Sequence, residues 1–106
     1  MRKVVIDPGI CGFITSAEAA SEDEGETVTL RVASGCEGVR EMAADLSGEL
    51  DPIGCCVAKG GAGPVYDAAR IHCPHAACPV PAGIIKCIEA ECGLALPKDA
   101  SIHFKD

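Results

Sequence analysis

The spacing of apolar residues changes period along the chain, from two in the first third to three and four in the remainder. Residues 2–7 carry the aliphatic run Val4, Val5 and Ile6, closed by the turn signal Pro8-Gly9, and predict a short strand. Residues 13–20 and 26–33 predict a hairpin around the polar turn Ser21-Glu22-Asp23-Glu24-Gly25. In its second arm Val28, Leu30 and Val32 face one way and Thr27, Thr29 and Arg31 the other, the alternation of an antiparallel sheet with one buried face.

From residue 37 the period lengthens. Val39, Met42, Ala43 and Leu46 share one helical face over 37–47, Gly48 supplies a stop, and Ser34 with Glu37 matches a capping box that would place Cys36 in the first helical turn. Residues 48–63, with six glycine and proline positions, predict a long loop or a poorly formed turn of helix, without the Gly-Lys-Ser/Thr of a phosphate-binding loop. A short helix is expected over 65–72, ending near Pro74. A stronger one is expected over 81–92, with Pro81 in its first turn, the stripe Ile84, Ile85 and Ile88, and Gly93 as its stop. Residues 101–105, with Ile102 and Phe104 on one face, predict a final strand. The sum is a single domain over 1–106 of the α+β class: two layers, a mainly antiparallel sheet of three N-terminal strands plus one C-terminal strand, and helices on one face.

Composition narrows the functional classes. The 106 residues include no Trp, one Tyr and two Phe, so the core must come from small side chains that each bury little area, and a bound metal or a subunit interface would add useful stability. The net charge is −7 and the nine basic residues are scattered, which argues against nucleic acid or an anionic membrane as partner. Strand-like sequence begins within three residues of the start, leaving no room for a secretory signal, and no apolar run has the roughly 18 residues of a membrane span. A cytoplasmic, reducing compartment is the expectation, and cysteines there serve more often as metal ligands or catalytic thiols than as disulfides.

The eight cysteines then become the candidate chemistry. Cys11 follows the first strand in a Gly-flanked turn, Cys36 stands where a strand gives way to a helix, and Cys78 precedes a proline-started helix. Thiolates are favoured near helix N-termini, where free amides and the helix dipole support negative charge. These three are expected to meet at one edge of the sheet, with His75 as the preferred fourth ligand, Cys73 the next and Asp7 a distant third. Cys87 and Cys92 are expected to pack on the Ile-rich helix, Cys55 and Cys56 to sit in a loop without a shared site, and His72 and His103 to lie on the surface.

The segments Cys11-Gly12, Gly35-Cys36 and His75 through Cys78 resemble the three cysteine motifs of the NifU/IscU-type scaffolds of iron-sulfur cluster assembly, at similar intervals over residues 11–92. A group of small prokaryotic proteins with Asp-Pro-Gly-Ile-Cys-Gly-Phe near the start and His-Ala-Ala-Cys-Pro near the end is similar as well. The scaffolds carry an acidic residue where this chain has Phe13, and their histidine adjoins the third cysteine rather than preceding it by three. The resemblance implies a non-enzymatic carrier holding an iron-sulfur cluster or zinc at Cys11, Cys36 and Cys78, exchanging it with other proteins of metal or cluster transfer. A thiol redox enzyme or sensor using Cys36 or Cys78, and an interaction domain whose cysteines merely pack, are the alternatives. A homodimer is compatible with the small core and with free strand edges.

Overall fold

The computed structural model describes residues 1–106. Three strands come first, β1 (Arg2–Ile6), β2 (Thr15–Ala20) and β3 (Thr29–Ala33), followed by four helices, α1 (Glu37–Asp45), α2 (Pro52–Cys56), α3 (Pro64–His72) and α4 (Val80–Glu91). The strands form an antiparallel meander in the order β1-β2-β3, with Ile6 opposite Thr15 and Ser16 opposite Ala33 at one end, and Arg2 opposite Ala19 and Ala20 opposite Thr29 at the other. Period two holds in β2, where Thr15, Ala17 and Ala19 are buried, and in β3, where Leu30 and Val32 are half-buried between exposed neighbours. This is the two-layer α+β architecture: helices cover one face, and Lys3, Val5 and Arg31 on the other meet solvent.

Helix α4 lies on β1 and β2, α1 on β3, and α3 and α2 fill the space between. The buried residues of α4 (Val80, Pro81, Ile84, Cys87, Ile88) form its inner stripe against Ala17 and Ala19, whose small side chains let the helix approach the sheet. Fully buried Ile84 and Ile88 each contribute about 1.5–3 kcal/mol by removal from water. The approach is closest at Gly83, where an added Cβ would lie 2.5 Å from Ile6 Cδ1. At the other end of α4, Glu91 accepts from the Ser21 amide (3.0 Å) and pairs with the amino terminus (3.3 Å). The helix therefore runs antiparallel to β1, its N-terminus at the Ile6 end of the sheet.

Two expectations need correction, and one left open is decided. No C-terminal strand forms: residues 95–106 carry no regular element, and Ile102 and Phe104 are 88% and 92% exposed. Alternation alone does not make a strand when no neighbouring strand receives its amides. The capping box does not form either. Cys36, not Ser34, is the N-cap of α1, and the Ser34 hydroxyl accepts from the Cys36 amide at 3.1 Å. Of the two readings of the Gly/Pro-rich stretch, the turn of helix is the one that forms: Asp51 caps α2 by accepting from the Ile53 amide (3.1 Å), and the apolar positions Pro52 and Cys55 are buried. Val28 and Leu50 exchange both backbone hydrogen bonds (3.1 and 2.8 Å), fixing this segment to the sheet.

Candidate thiol site at the Ile6 end of the sheet

The end of the sheet marked by Ile6, Thr15 and Ala33 receives four chain segments: the loop 7–14, the β3–α1 junction, the exit from α3 and the entry to α4. The first two are held together by a relay. The buried Thr15 hydroxyl lies 3.1 Å from the Phe13 carbonyl and 2.8 Å from the Ser34 hydroxyl, which in turn takes the Cys36 amide. The hydroxyl protons can order so that every step has one donor. The Phe13 ring lies over Gly35, where a Cβ would come within 2.9 Å of it. Phe13 thus works as a clasp between the Cys11 loop and the Cys36 junction.

Helix α1 begins at this junction, with the Cys36 carbonyl accepting the first helical bond from Arg40 (3.0 Å). Its first turn crosses the end of α3 closely enough that a Cβ at Gly38 would lie 2.5 Å from the His72 carbonyl. His72 reinforces the crossing, its Nδ1 3.1 Å from Glu41 Oε2 and its Nε2 2.7 Å from Asp45 Oδ2. The hydrogen bond to Asp45, with smaller contributions from the charges of both carboxylates, raises its pKa above 6.5. Rather than an idle surface residue, His72 is a clamp between α1 and α3.

Cys73 follows directly, as the C-cap of α3. Its amide donates to Ala69 O (2.8 Å) and its thiol to the Met42 sulfur (3.8 Å). Cys78 lies in a turn closed by its own amide on the His75 carbonyl (3.2 Å), immediately before the Pro79 cap of α4. Burial pushes the Cys73 thiol up to about 11, and charge on Cys78 and Cys36 pushes in the same direction, with Cys78 also within hydrogen-bonding reach. Cys36, Cys73 and Cys78 are each half-buried beside a helix terminus, the first and last near enough to Cys73 for their charge to act on it. An open groove of about 440 Å³ beside it is lined by Cys36, Glu37, Gly38, Glu41, His72 and Pro74.

The candidate ligands therefore divide. Cys36 and Cys78 each neighbour Cys73, whose thiol feels the charge of both. Cys11 is on the loop at the same end and is solvent-exposed, as are His75 and Asp7, the last accepting from the Gly9 amide (3.0 Å). No three His, Cys, Asp or Glu side chains stand where they could jointly hold a metal ion. The donor chemistry suits a thiophilic metal, but a ligand set is not assembled in this arrangement. Sequence reasoning ranked Cys73 only as a spare ligand; its position as the residue ending α3 was the available signal.

The other four cysteines behave differently. Cys87 is buried, its thiol donating to Arg2 O (3.4 Å) and Ala17 O (3.6 Å), and burial raises its pKa. Cys55 is buried, and Cys56 is half-buried with its thiol on Ile85 O (3.8 Å) and pushed up to about 12, mainly by burial. Both sense the charge of Cys92, whose own thiol is raised chiefly by burial. Cys55 and Cys56 line a cavity of about 230 Å³ with Tyr66, Ala82, Ile85 and Lys86.

No helix is long and apolar enough to cross a membrane. No curated protein and no solved structure matches the chain. One family does, over residues 2–104, and the chain belongs to it: DUF6951, a family of unknown function.

Proposed function

We propose that the Ile6 end of the sheet is a thiolate site for a thiophilic metal, zinc or an iron-sulfur cluster, and that the protein acts as its carrier or scaffold rather than as an enzyme. What supports this reading is that Cys36, Cys73 and Cys78, half-buried beside three helix termini, lie near enough for charge on Cys36 and Cys78 to act on the Cys73 thiol. Were these thiols ionised they would repel one another, and a bound cation would relieve that repulsion. Cys36 and Cys78 would be the central ligands, with Cys73, Cys11 and His75 supplying the rest. Thiolate with or without imidazole suits zinc, and thiolate suits iron-sulfur clusters. The resemblance to NifU/IscU-type scaffolds, in the motifs around Cys11, Cys36 and Cys78, supports the cluster.

The test is anaerobic purification followed by visible spectroscopy and metal and sulfide analysis. Bound iron with sulfide, or bound zinc, is expected, and it should be lost in Cys36→Ser and Cys78→Ser but kept in Cys92→Ser. A folded protein that takes up neither zinc nor iron with sulfide on reconstitution overturns the reading.

A second reading is favoured by the nearness of Cys78 to Cys73, whose thiol it helps to raise. Here the pair is a redox dithiol: both thiols lose their protons, two electrons pass to a small-molecule disulfide, which leaves as two thiols, and one S–S bond forms. The wild type would then lose two hydrogens in mass on exposure to oxidised glutathione, and Cys73→Ser would instead retain a mixed disulfide at Cys78. Resistance of both proteins to the disulfide removes this reading.

A further inference from the structure

A three-stranded meander has two free edges, and the hydrogen-bond alternation identifies the groups exposed on each. Thr29, Arg31 and Ala33 bond to β2, because Val28 turns its amide and carbonyl outward to Leu50. The register then directs Ala17 and Ala19 of β2 toward Val4 and Arg2, which leaves the backbone groups of Lys3 and Val5 facing outward from β1. The side chain of Val5 is 68% exposed beside this edge. At the other end of the chain, residues 95–106 extend from α4 as an exposed segment whose Ile102 and Phe104 alternate like strand residues and bury nothing.

The molecule thus contains an unpaired edge and a strand-patterned segment without a sheet. We propose that the two belong together between copies: the 101–105 segment of one chain adds to the β1 edge of a second, and reciprocally, making a two-fold dimer. Charge does not oppose this choice of edge: Arg2 and Lys3 put two of the nine basic residues on β1, and the 95–106 tail, with Lys98 and Lys105 against Asp99 and Asp106, carries none of the net charge of −7 that otherwise opposes self-association. Added strands gain affinity from main-chain hydrogen bonds and register from alternate side chains, here Ile102 and Phe104 beside Val5. Reciprocal exchange closes the assembly at two copies and leaves neither tail free, so it does not propagate into a fibre.

The experiment is sedimentation of the full chain over a concentration series. A particle of twice the 10.8 kDa chain mass is expected. Phe104→Asp changes an exposed residue outside the core and should return the mass to that of one chain. Val5→Pro should do the same from the other side, since it removes an outward amide without breaking a bond to β2. Amide exchange on the wild type should protect residues 101–105. A monomeric wild type overturns the proposal, whether its tail amides are unprotected or are protected by folding onto its own β1. A dimer that survives Phe104→Asp overturns it equally. The thiol-site reading is untouched by either result, because its variants are scored by bound metal.

Discussion

At the Ile6 end of the sheet, Cys36, Cys73 and Cys78 hang from helix termini at loops that meet solvent, whereas along α4 Cys87 is sealed in the core and Cys55 and Cys56 are tied to helix packing. The same side chain is thus left half-exposed at the margin of the core in one region and, at Cys55 and Cys87, works as a fully buried small hydrophobe in the other. What separates them is the backbone beneath. A helix terminus presents unpaired backbone groups, amides at its start and carbonyls at its end, and a change of chain direction, while a helix interior presents only a face.

The largest effect should come from placing one substitution in both regions. Cys87→Asp buries a carboxylate among Ile84, Ile88 and Ala17 and should cost about 4 kcal/mol or more in chemical denaturation, whereas Cys78→Asp, half-exposed, should cost about 1 kcal/mol or less. Equal costs would abolish the distinction. Next, Gly35→Ala drives a methyl group into the Phe13 ring and should cost about 1–3 kcal/mol while freeing the 7–14 loop. Faster proteolysis within that loop is the readout, and an unchanged cleavage rate would show that Phe13 does not clasp it.

Alkylation at graded pH sharpens the comparison from within. Cys56, pushed up to about 12, and Cys73, to about 11, should be slow at neutrality and gain roughly tenfold per pH unit until their pKa values are reached. The folded values of both exceed the ordinary 9.0, so the stability they contribute is complete below about pH 9 and is lost as pH rises toward 11 and 12. Peptide mapping that finds Cys56 among the fastest thiols at pH 7 would contradict its burial. The smallest effect is expected at His72. Its pKa is raised in the fold, so the clamp is fully present below about pH 6.5 and weakens as pH rises through the folded value. His72→Ala should therefore lower the thermal midpoint most at acidic pH, and a deficit that grows with pH would refute the clamp.

The sequence made the three strands and the helices α1, α3 and α4 legible because each buries one regular face: Val28, Leu30 and Val32 in the sheet, Val39 and Met42 in α1, Ile84 and Ile88 in α4. The 101–105 segment shows the limit of that argument, since period two reports a face without reporting whether any strand lies beside it. Helix α2 was obscured because Pro52, Gly54 and Gly60 speak for a loop, and only the Asp51 cap and the burial of Pro52 and Cys55 hold the turn. At the candidate site, Cys36 and Cys78 were visible from their junctions. The clasp of Phe13 on Gly35, the clamp of His72 and the placing of Cys73 are meetings of segments far apart in sequence, and no local pattern contains them.

The notch at Gly83 couples two positions in the history of the chain. Any side chain there meets the outer carbons of Ile6, so a mutation to Ala or larger displaces that side chain unless residue 6 has already shrunk, while shrinking Ile6 alone opens a cavity under α4. The order of substitution is thereby constrained: drift must pass through a weakened intermediate, and members of the family with a bulkier residue at 83 should carry a smaller one at 6.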